Sequence, residues 1–386
     1  LDNLFNPKSI AIVGASENPA KIGYIILKNL KDAGYKGKIY PINIRSAGKE
    51  INGELCYASV KDVPEEIDVA VFAIPAKLCS STLDDCIVNK TKNVCIISAG
   101  FAEIGREDLQ NEVAKKCLDN NINLVGPNCL GYISTYNNLN TSFASSYPEK
   151  GNIAFISQSG AYCSALLDWA KQRGIGFSYF LSIGNKVILG EDKILEALKN
   201  DENTNAFVFY LESLKNGKNF FRTLKEVTHK KPCIILQPGR SKKAQSASKS
   251  HTGSLAPNNR ILEIAIEKSG AIQTRETREM FGLLEILELS NTHNFDGGFA
   301  ILTNGGGVGV VTTDLCEDCG LNLAKPSEET EKKLKEVIPI EGSANNPFDV
   351  LGDANQQRYE KTLSILCESN EYNNILIIFT PQKVVE

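Results

Sequence analysis

Short apolar runs alternate with longer stretches of helical period along almost the whole chain. In the first third the runs are SIAIVG (9–14), KIYPIN (38–43), DVAVFAI (68–74), NVCIIS (93–98) and INLVG (122–126). Each is nearly continuous in Val, Ile and Ala, with little polar alternation, as expected of strands buried on both faces of a parallel sheet. The pattern predicts helices between them, for example over 20–34 and 106–120. Together these elements make a doubly wound α/β domain, expected over residues 1–145.

The rhythm restarts after SSYPEKG, with strands expected at 152–157, 176–182, 206–211 and 232–237, a second α/β domain over 146–292. A polar stretch, LSNTHNFDGG, leads into a third unit over 293–386, with strands at 298–303 and 373–380. That unit has few elements, and the chain stops at PQKVVE directly after a strand. It is expected to be truncated, or completed by another segment. The first residue is Leu1, as in a processed chain or an expressed piece. A length of 386 residues exceeds what one hydrophobic core usually serves. The three units share a style but no short repeat period, which argues against a solenoid.

Composition narrows the function classes. The formal net charge is −4, which makes no case for nucleic acid or an anionic membrane surface as partner. No apolar run approaches the roughly 20 residues that span a bilayer, and no signal-peptide pattern opens the chain. The eleven cysteines are scattered through strand-like and helix-like segments, so free buried thiols in a cytoplasmic protein are expected. Cys316 and Cys319 form a lone CxxC with no second pair nearby, which reads as two helix positions, and no metal site is expected.

The candidate chemistry sits on turns. In AIVGASENPAKIG, Gly14 permits a tight strand-to-helix turn, and the helix N-terminus that follows offers free N–H groups to a phosphate. The spacing is not GxGxxG, and Asn43 and Arg45 stand where an NAD site would carry Asp or Glu. An arginine there suits a phosphorylated ribose, as in coenzyme A or NADP, while a bare β–α connection is the plainer alternative. FISQSGAYCSALLDWA repeats the device, with Ser159 and Gly160 opening a helix. It is no nucleophile elbow, because Phe155 occupies the position of the first glycine. SIGNK (182–186) and TNGGGVGV (303–310) are further glycine turns after strands. His251, one of three histidines, lies in SKSHTGSLA, among mainly Ser, Thr, Gly, Lys and Ala. Taken alone, a loop histidine is more often incidental than reactive, and His229 and His293 have no motif around them.

The segments IAIVGASENPAKIG, GPNCLGYIST, ISQSGAYCSALLDWA, LSIGNK, FYLES, SHTGSLA, TNGGGVGV and NPFDVLGDA occur in this order. In them the chain resembles the NDP-forming acyl-CoA synthetases, which include the succinyl-CoA synthetase α subunit. It is most similar to their ADP-forming acetyl-CoA synthetase branch. The resemblance implies an N-terminal Rossmann-like CoA-binding domain followed by flavodoxin-like ligase domains, the last incomplete. It implies an acid–thiol ligase in which acyl-CoA and phosphate exchange through an acyl phosphate and a phosphohistidine. That histidine is His251, and Glu212 in FYLES orients its imidazole. Ser159, Gly160, Gly184, Asn185 and Gly253 would hold phosphate. Gly14, Ala15, Ser16, Lys21 and Arg45 would hold CoA, with Pro75, Gly100 and Asn128 lining the CoA and acyl site. Cys129 is expected as a small wall of the acyl pocket.

The resemblance also implies a partner. ADP or ATP with Mg would bind on an ATP-grasp module absent from this chain, either a β subunit or a fused domain, in a hetero-oligomer or dimer. Segment 239–259 has the composition of a flexible carrier between two sites. Two other readings stay open on the sequence: a CoA-binding regulatory module of a fused acetyltransferase, and an NADP-dependent dehydrogenase resting on the first β–α turn alone.

Overall fold

The computed structural model describes residues 1–239, 241, 244, 259–289 and 297–382. The chain divides into two units, Leu1–Asn291 and Thr292–Glu386.

The first unit holds two sheets. One contains β1 (Ser9–Val13), β2 (Lys38–Ile42), β3 (Val69–Phe72), β4 (Asn93–Ile96) and β5 (Asn123–Val125), all parallel, in the order β2-β1-β3-β4-β5. Every residue of β1, β3 and β4 is buried, so the continuous apolar runs mark strands covered on both faces. The connecting helices include α1 (Ile22–Asp32), α2 (Ala76–Asn89) and α3 (Glu107–Asp119). Cys79, Leu83 and Cys86 of α2, and Val113 and Cys117 of α3, are buried at the three- and four-residue spacing of one helical face.

The second sheet begins earlier than the residue-145 break that the sequence predicts. A hairpin of β6 (Tyr132–Ser134) and β7 (Leu139–Asn140) pairs antiparallel with the edge of the second sheet and not with the first. Its strands are only three and two residues long, and all five residues are buried. Neither length nor polar alternation therefore marks the hairpin in the sequence. The remaining strands are β8 (Lys150–Ser157), β9 (Phe177–Ser182), β10 (Ala206–Tyr210), β11 (Cys233–Leu236) and β12 (Ile272–Thr274). They are parallel, and the full order is β12-β11-β10-β8-β9-β6-β7. Helices α4 (Gly160–Arg173), α5 (Glu191–Leu198) and α6 (Gly217–Thr228) connect them, with α7 (Asn259–Lys268) and α8 (Thr277–Leu289) flanking β12.

One core runs across both sheets. Ile10 and Ile12 of β1 cluster with Tyr132 and Leu139 of the hairpin and with Ile156 and Leu181 of the second sheet. The Tyr132 hydroxyl donates to the Leu4 carbonyl at 2.8 Å, and Asn29 of α1 donates to the carbonyls of Ser142 and Ala144, both at 3.0 Å. Shared burial of this kind makes one unit of two sheets.

Both parallel sheets have the same strand sequence: their second strand lies on one side of the first, and their third and later strands on the other. Each therefore has a topological switch point beside its first strand, where ligands bind at the carboxyl ends of open α/β sheets. The Thr292–Glu386 unit has a smaller parallel sheet of β13 (Phe299–Thr303), β14 (Phe348–Asp349) and β15 (Asn374–Ile378), ordered β14-β13-β15. No helix of the described residues is long and apolar enough to cross a membrane.

Candidate active site

The residues expected to hold CoA follow the carboxyl ends of the five strands of the first sheet. Gly14 has φ +91°, and a Cβ there would stand 2.4 Å from the Ala73 carbonyl oxygen at the end of β3, so only glycine fits this crossing. Its amide and that of Ala15 both donate to the Ile42 carbonyl, at 2.9 and 3.3 Å. Asn43 closes the turn by donating from its side chain to the Ala15 carbonyl at 2.7 Å. Ser16 accepts from the Asn18 amide at 3.1 Å, and Lys21 stands exposed at the N-cap of α1. Arg45 is exposed after β2, and Pro75 is exposed at the N-cap of α2. Gly100 (φ +110°) follows β4, and Asn128 (φ +57°) follows β5.

A cleft of about 760 Å³ brings Asn128 together with Ser159, Gly160, Gly184, Asn185 and Glu212. Ser159 caps α4 by accepting from the Tyr162 amide at 3.3 Å, and it follows β8, while Glu212 follows β10. The two thus flank the switch point of the second sheet. Gly184 (φ +52°) follows β9, and a Cβ there would lie 2.3 Å from the Pro127 carbonyl oxygen and 2.4 Å from that of Asn128. Here the two segments touch through backbone, the Asn185 amide donating to the Pro127 carbonyl at 2.9 Å and the Val187 amide to that of Gly126 at 3.1 Å. Ile22, Ile97, Leu130 and Phe143 supply apolar wall, together with Cys129. The Cys129 sulfur is buried 3.8 Å from that of Cys95 and 3.3 Å from the Ile96 carbonyl.

Gly14, Ala15, Ser16, Lys21, Arg45, Pro75 and Gly100 are not among the cleft's lining residues, although Ile22 and Ala99, their neighbours in the chain, are. His251 and Gly253 lie outside the described residues, as does His293. His229 is exposed at the end of α6. All eleven cysteines are free, nine of them buried, and no group of metal-ligating side chains occurs among the described residues. Cys316 lies on a helix, Gly306–Asp318, and Cys319 caps it, the two helix positions that the sequence suggests.

Three side chains that the motifs did not assign organise the cleft. Glu103 accepts from the amides of Gly100 (2.5 Å) and Phe101 (3.1 Å) with one oxygen, and from the Asn185 side chain (2.7 Å) with the other. Burial pushes its carboxyl pKa up, but these hydrogen bonds outweigh burial and hold it below the usual carboxylate value. Asn185 also donates to Gln110 at 2.9 Å and accepts from Asn128 at 3.3 Å. Gln158 accepts from the amides of Glu212 and, at 2.9 Å, Ser213, and donates to the Ser213 carbonyl at 3.1 Å. Lys186 is buried beside Glu191, 3.0 Å between charged atoms. Gln158 and Lys186 stand inside quoted motifs without a role attached to them, whereas nothing in the spacing of AGFAEIG singles out Glu103. The cleft thus combines hydroxyl, amide and helix N-terminal donors with apolar wall. That combination suits a small anion next to an apolar group.

Comparison with known proteins agrees with this architecture. Residues 8–135 match the model of a CoA binding domain, 150–287 that of a succinyl-CoA ligase like flavodoxin domain, and 299–381 that of a ligase-CoA domain. The chain is 39% identical to the ADP-forming acetate–CoA ligase I of Archaeoglobus fulgidus, over 99% of this chain and 55% of that protein. It is also 39% identical to the ADP-forming acetate–CoA ligase I subunit alpha of Pyrococcus furiosus, over 100% of this chain and 84% of the subunit. The chain spans about half the length of the longer curated relatives it matches. Among solved structures it resembles the dinucleotide-forming acetyl-coenzyme A synthetase 1 of Ca. Korarchaeum cryptofilum in complex with phosphate and ADP. The TM-score is 0.92 at 35% identity, over 100% of this chain and 83% of that one. Two successive sheets of the same order, the turns at their carboxyl ends and these full-chain identities lead to one assignment: the chain belongs to the ADP-forming acetate–CoA ligase family.

Proposed function

We propose that this chain is the α portion of an ADP-forming acyl-CoA synthetase, with acetyl-CoA as the default substrate. In the direction of ATP formation, a phosphate oxygen attacks the thioester carbonyl, the carbon–sulfur bond breaks, and CoA leaves with an acyl phosphate formed. An imidazole nitrogen of His251 then attacks phosphorus, the bond from phosphorus to the acyl oxygen breaks, and the carboxylate leaves. A nucleotide-binding module outside this chain would pass the phosphoryl group from His251 to ADP.

The observation that carries this reading is the position of Ser159, Gly160 and Glu212 just after the two strands beside one switch point, in a cleft that turns of the first sheet also line. Ser159, Gly160 and the N-terminus of α4 would receive the phosphoryl oxygens, whose transfer depends mainly on positioning and charge stabilisation. Asn185 and the Gly184 turn would face them. Glu212 would accept from the second imidazole nitrogen and so fix the tautomer that attacks. The turns after β1 to β4 would carry the nucleotide end of CoA, leaving its thioester to reach the cleft past Asn128.

The experiment is phosphorylation of the full-length natural chain by labelled phosphate and acetyl-CoA with no nucleotide present. The chain should take up acid-labile phosphate, and His251→Ala should take up none. A wild-type chain that stays unlabelled, or a His251→Ala chain that labels, refutes the reading.

A further inference from the structure

Lys186 is a charged side chain buried in the wall of the cleft. It is 6% exposed and sits at φ +46°, an uncommon conformation for a residue with a Cβ. Its ammonium donates to Glu191 at 3.0 Å and to the Ser213 carbonyl. Glu191 is fully buried, and its other oxygen accepts from the Lys215 amide at 3.0 Å. The Lys215 ammonium in turn donates to the carbonyls of Val187 and, at 3.4 Å, Lys186. The turn after β9 and the turn after β10 are therefore braced against each other by two lysines and one carboxylate.

These turns have no backbone ladder between them, because β8 separates β9 from β10 in the sheet. Both strands pair with β8 up to their ends, and beyond that point side chains link the two turns directly. Gln158, at the end of β8, grips the Glu212–Ser213 turn from the other side, so the Ser213 carbonyl accepts from Gln158 and Lys186 together. Burial drives the Lys186 pKa down against the attraction of Glu191, Asp192 and Glu212. A buried ion pair is weak support for stability, since an apolar pair of equal volume often does as well. It does fix atoms in one arrangement, and the arrangement here holds the turn that carries Glu212.

We propose that Lys186 is a positioning residue for Glu212, locking the Glu212–Ser213 turn at the distance from the Gly184–Lys186 turn that phosphoryl transfer requires. The inference rests on the role of Glu212 given above. It goes beyond that role by assigning Lys186 a function in the reaction without contact to the reacting atoms.

The test is a double-mutant cycle in the full-length natural chain, with Glu191→Gln as background so that removal of Lys186 leaves no unpaired buried carboxylate. Phosphoprotein formation from acetyl-CoA and phosphate is timed by rapid quench, and CoA affinity and thermal unfolding are measured alongside. K186M/E191Q should keep the CoA affinity of E191Q and melt no lower, since E191Q leaves the buried ammonium unpaired, while forming phosphoprotein about 100-fold more slowly, the effect of a misplacement near 1 Å. Adding Glu212→Gln should slow E191Q strongly but K186M/E191Q only slightly. Equal rates for E191Q and K186M/E191Q, or an equal Glu212→Gln penalty in both backgrounds, overturn the inference. If K186M/E191Q does not melt cooperatively, K186R completes the same cycle with the charge retained. A wild-type chain that takes no label sinks the functional reading, and the inference falls with it.

Discussion

Gly184→Ala tests how tightly the two sheets meet at the cleft. The position is in the left-handed region, where an alanine costs about 1–2 kcal/mol. The added Cβ would also meet two backbone oxygens, at 2.3 Å from Pro127 and 2.4 Å from Asn128, whereas Cβ contacts under 3.0 Å are essentially never seen. Neither oxygen ends a flexible side chain, so the turn or the Gly126–Asn128 segment has to shift. Overpacking of this kind costs a further ~1–3 kcal/mol. Gly174 supplies the control: its φ is +66°, and a Cβ there meets nothing within 4 Å. Gly174→Ala carries the conformational cost alone. At about 2–4 °C per kcal/mol for a domain somewhat smaller than this unit, Gly174→Ala should lower the melting temperature by a few degrees, and Gly184→Ala by about twice that. The shift would also carry Asn185 away from Glu103 and Asn128, so phosphoprotein formation should fall by about 100-fold in Gly184→Ala and stay near wild type in Gly174→Ala. Scanning calorimetry and rapid-quench labelling measure the two effects. Equal melting temperatures for the two variants would show that the Pro127–Asn128 backbone gives way freely, and the reasoning would fail.

Two further predictions use ionisation and access. Glu103 has its pKa lowered in the folded state, so its stabilising contribution is complete above its ordinary value of about 4.5 and is lost as pH falls through the lower folded value. Glu103→Gln should melt earlier at neutral pH and lose less stability than wild type between about pH 5 and 3; parallel pH–melting curves for the two would count against the hydrogen-bonded carboxylate. For the thiols, burial raises Cys79 and Cys163 to about 12, and only Cys319 and Cys367 are exposed. A thiol reagent should therefore modify two groups quickly in the native chain and eleven after unfolding, and a larger fast count would contradict the buried placement.

Most strands of both parallel sheets were legible because their signal is local, while β12 (Ile272–Thr274), three residues long and only partly buried, was not among those expected. A strand buried on both faces must be apolar throughout, and SIAIV, VAVF and NVCI show this without reference to any partner. The turns that follow them were legible because glycine marks their positive backbone angles at Gly14 and Gly184, although the close approaches that also demand glycine there involve Ala73, Pro127 and Asn128, far along the chain. The motifs around Ser159 and Glu212 located the second sheet's switch point, although His251 lies outside the described residues.

Tertiary structure decided what those turns face. The hairpin of β6 and β7 joins the second sheet through pairing with β9, and nothing in its composition favours one sheet over the other. Glu103 meets Asn185 across 82 positions of chain, Gln158 meets Glu212 across 54, and Lys186 meets Ser213 across 27. Such pairings depend on strand order and on how two sheets share a core, which local spacing does not encode. Sequence alone thus located the long buried strands and the turns that carry donors. The fold determined which side chains hold those turns in register, because a buried polar group takes whatever partner packing brings within about 3 Å.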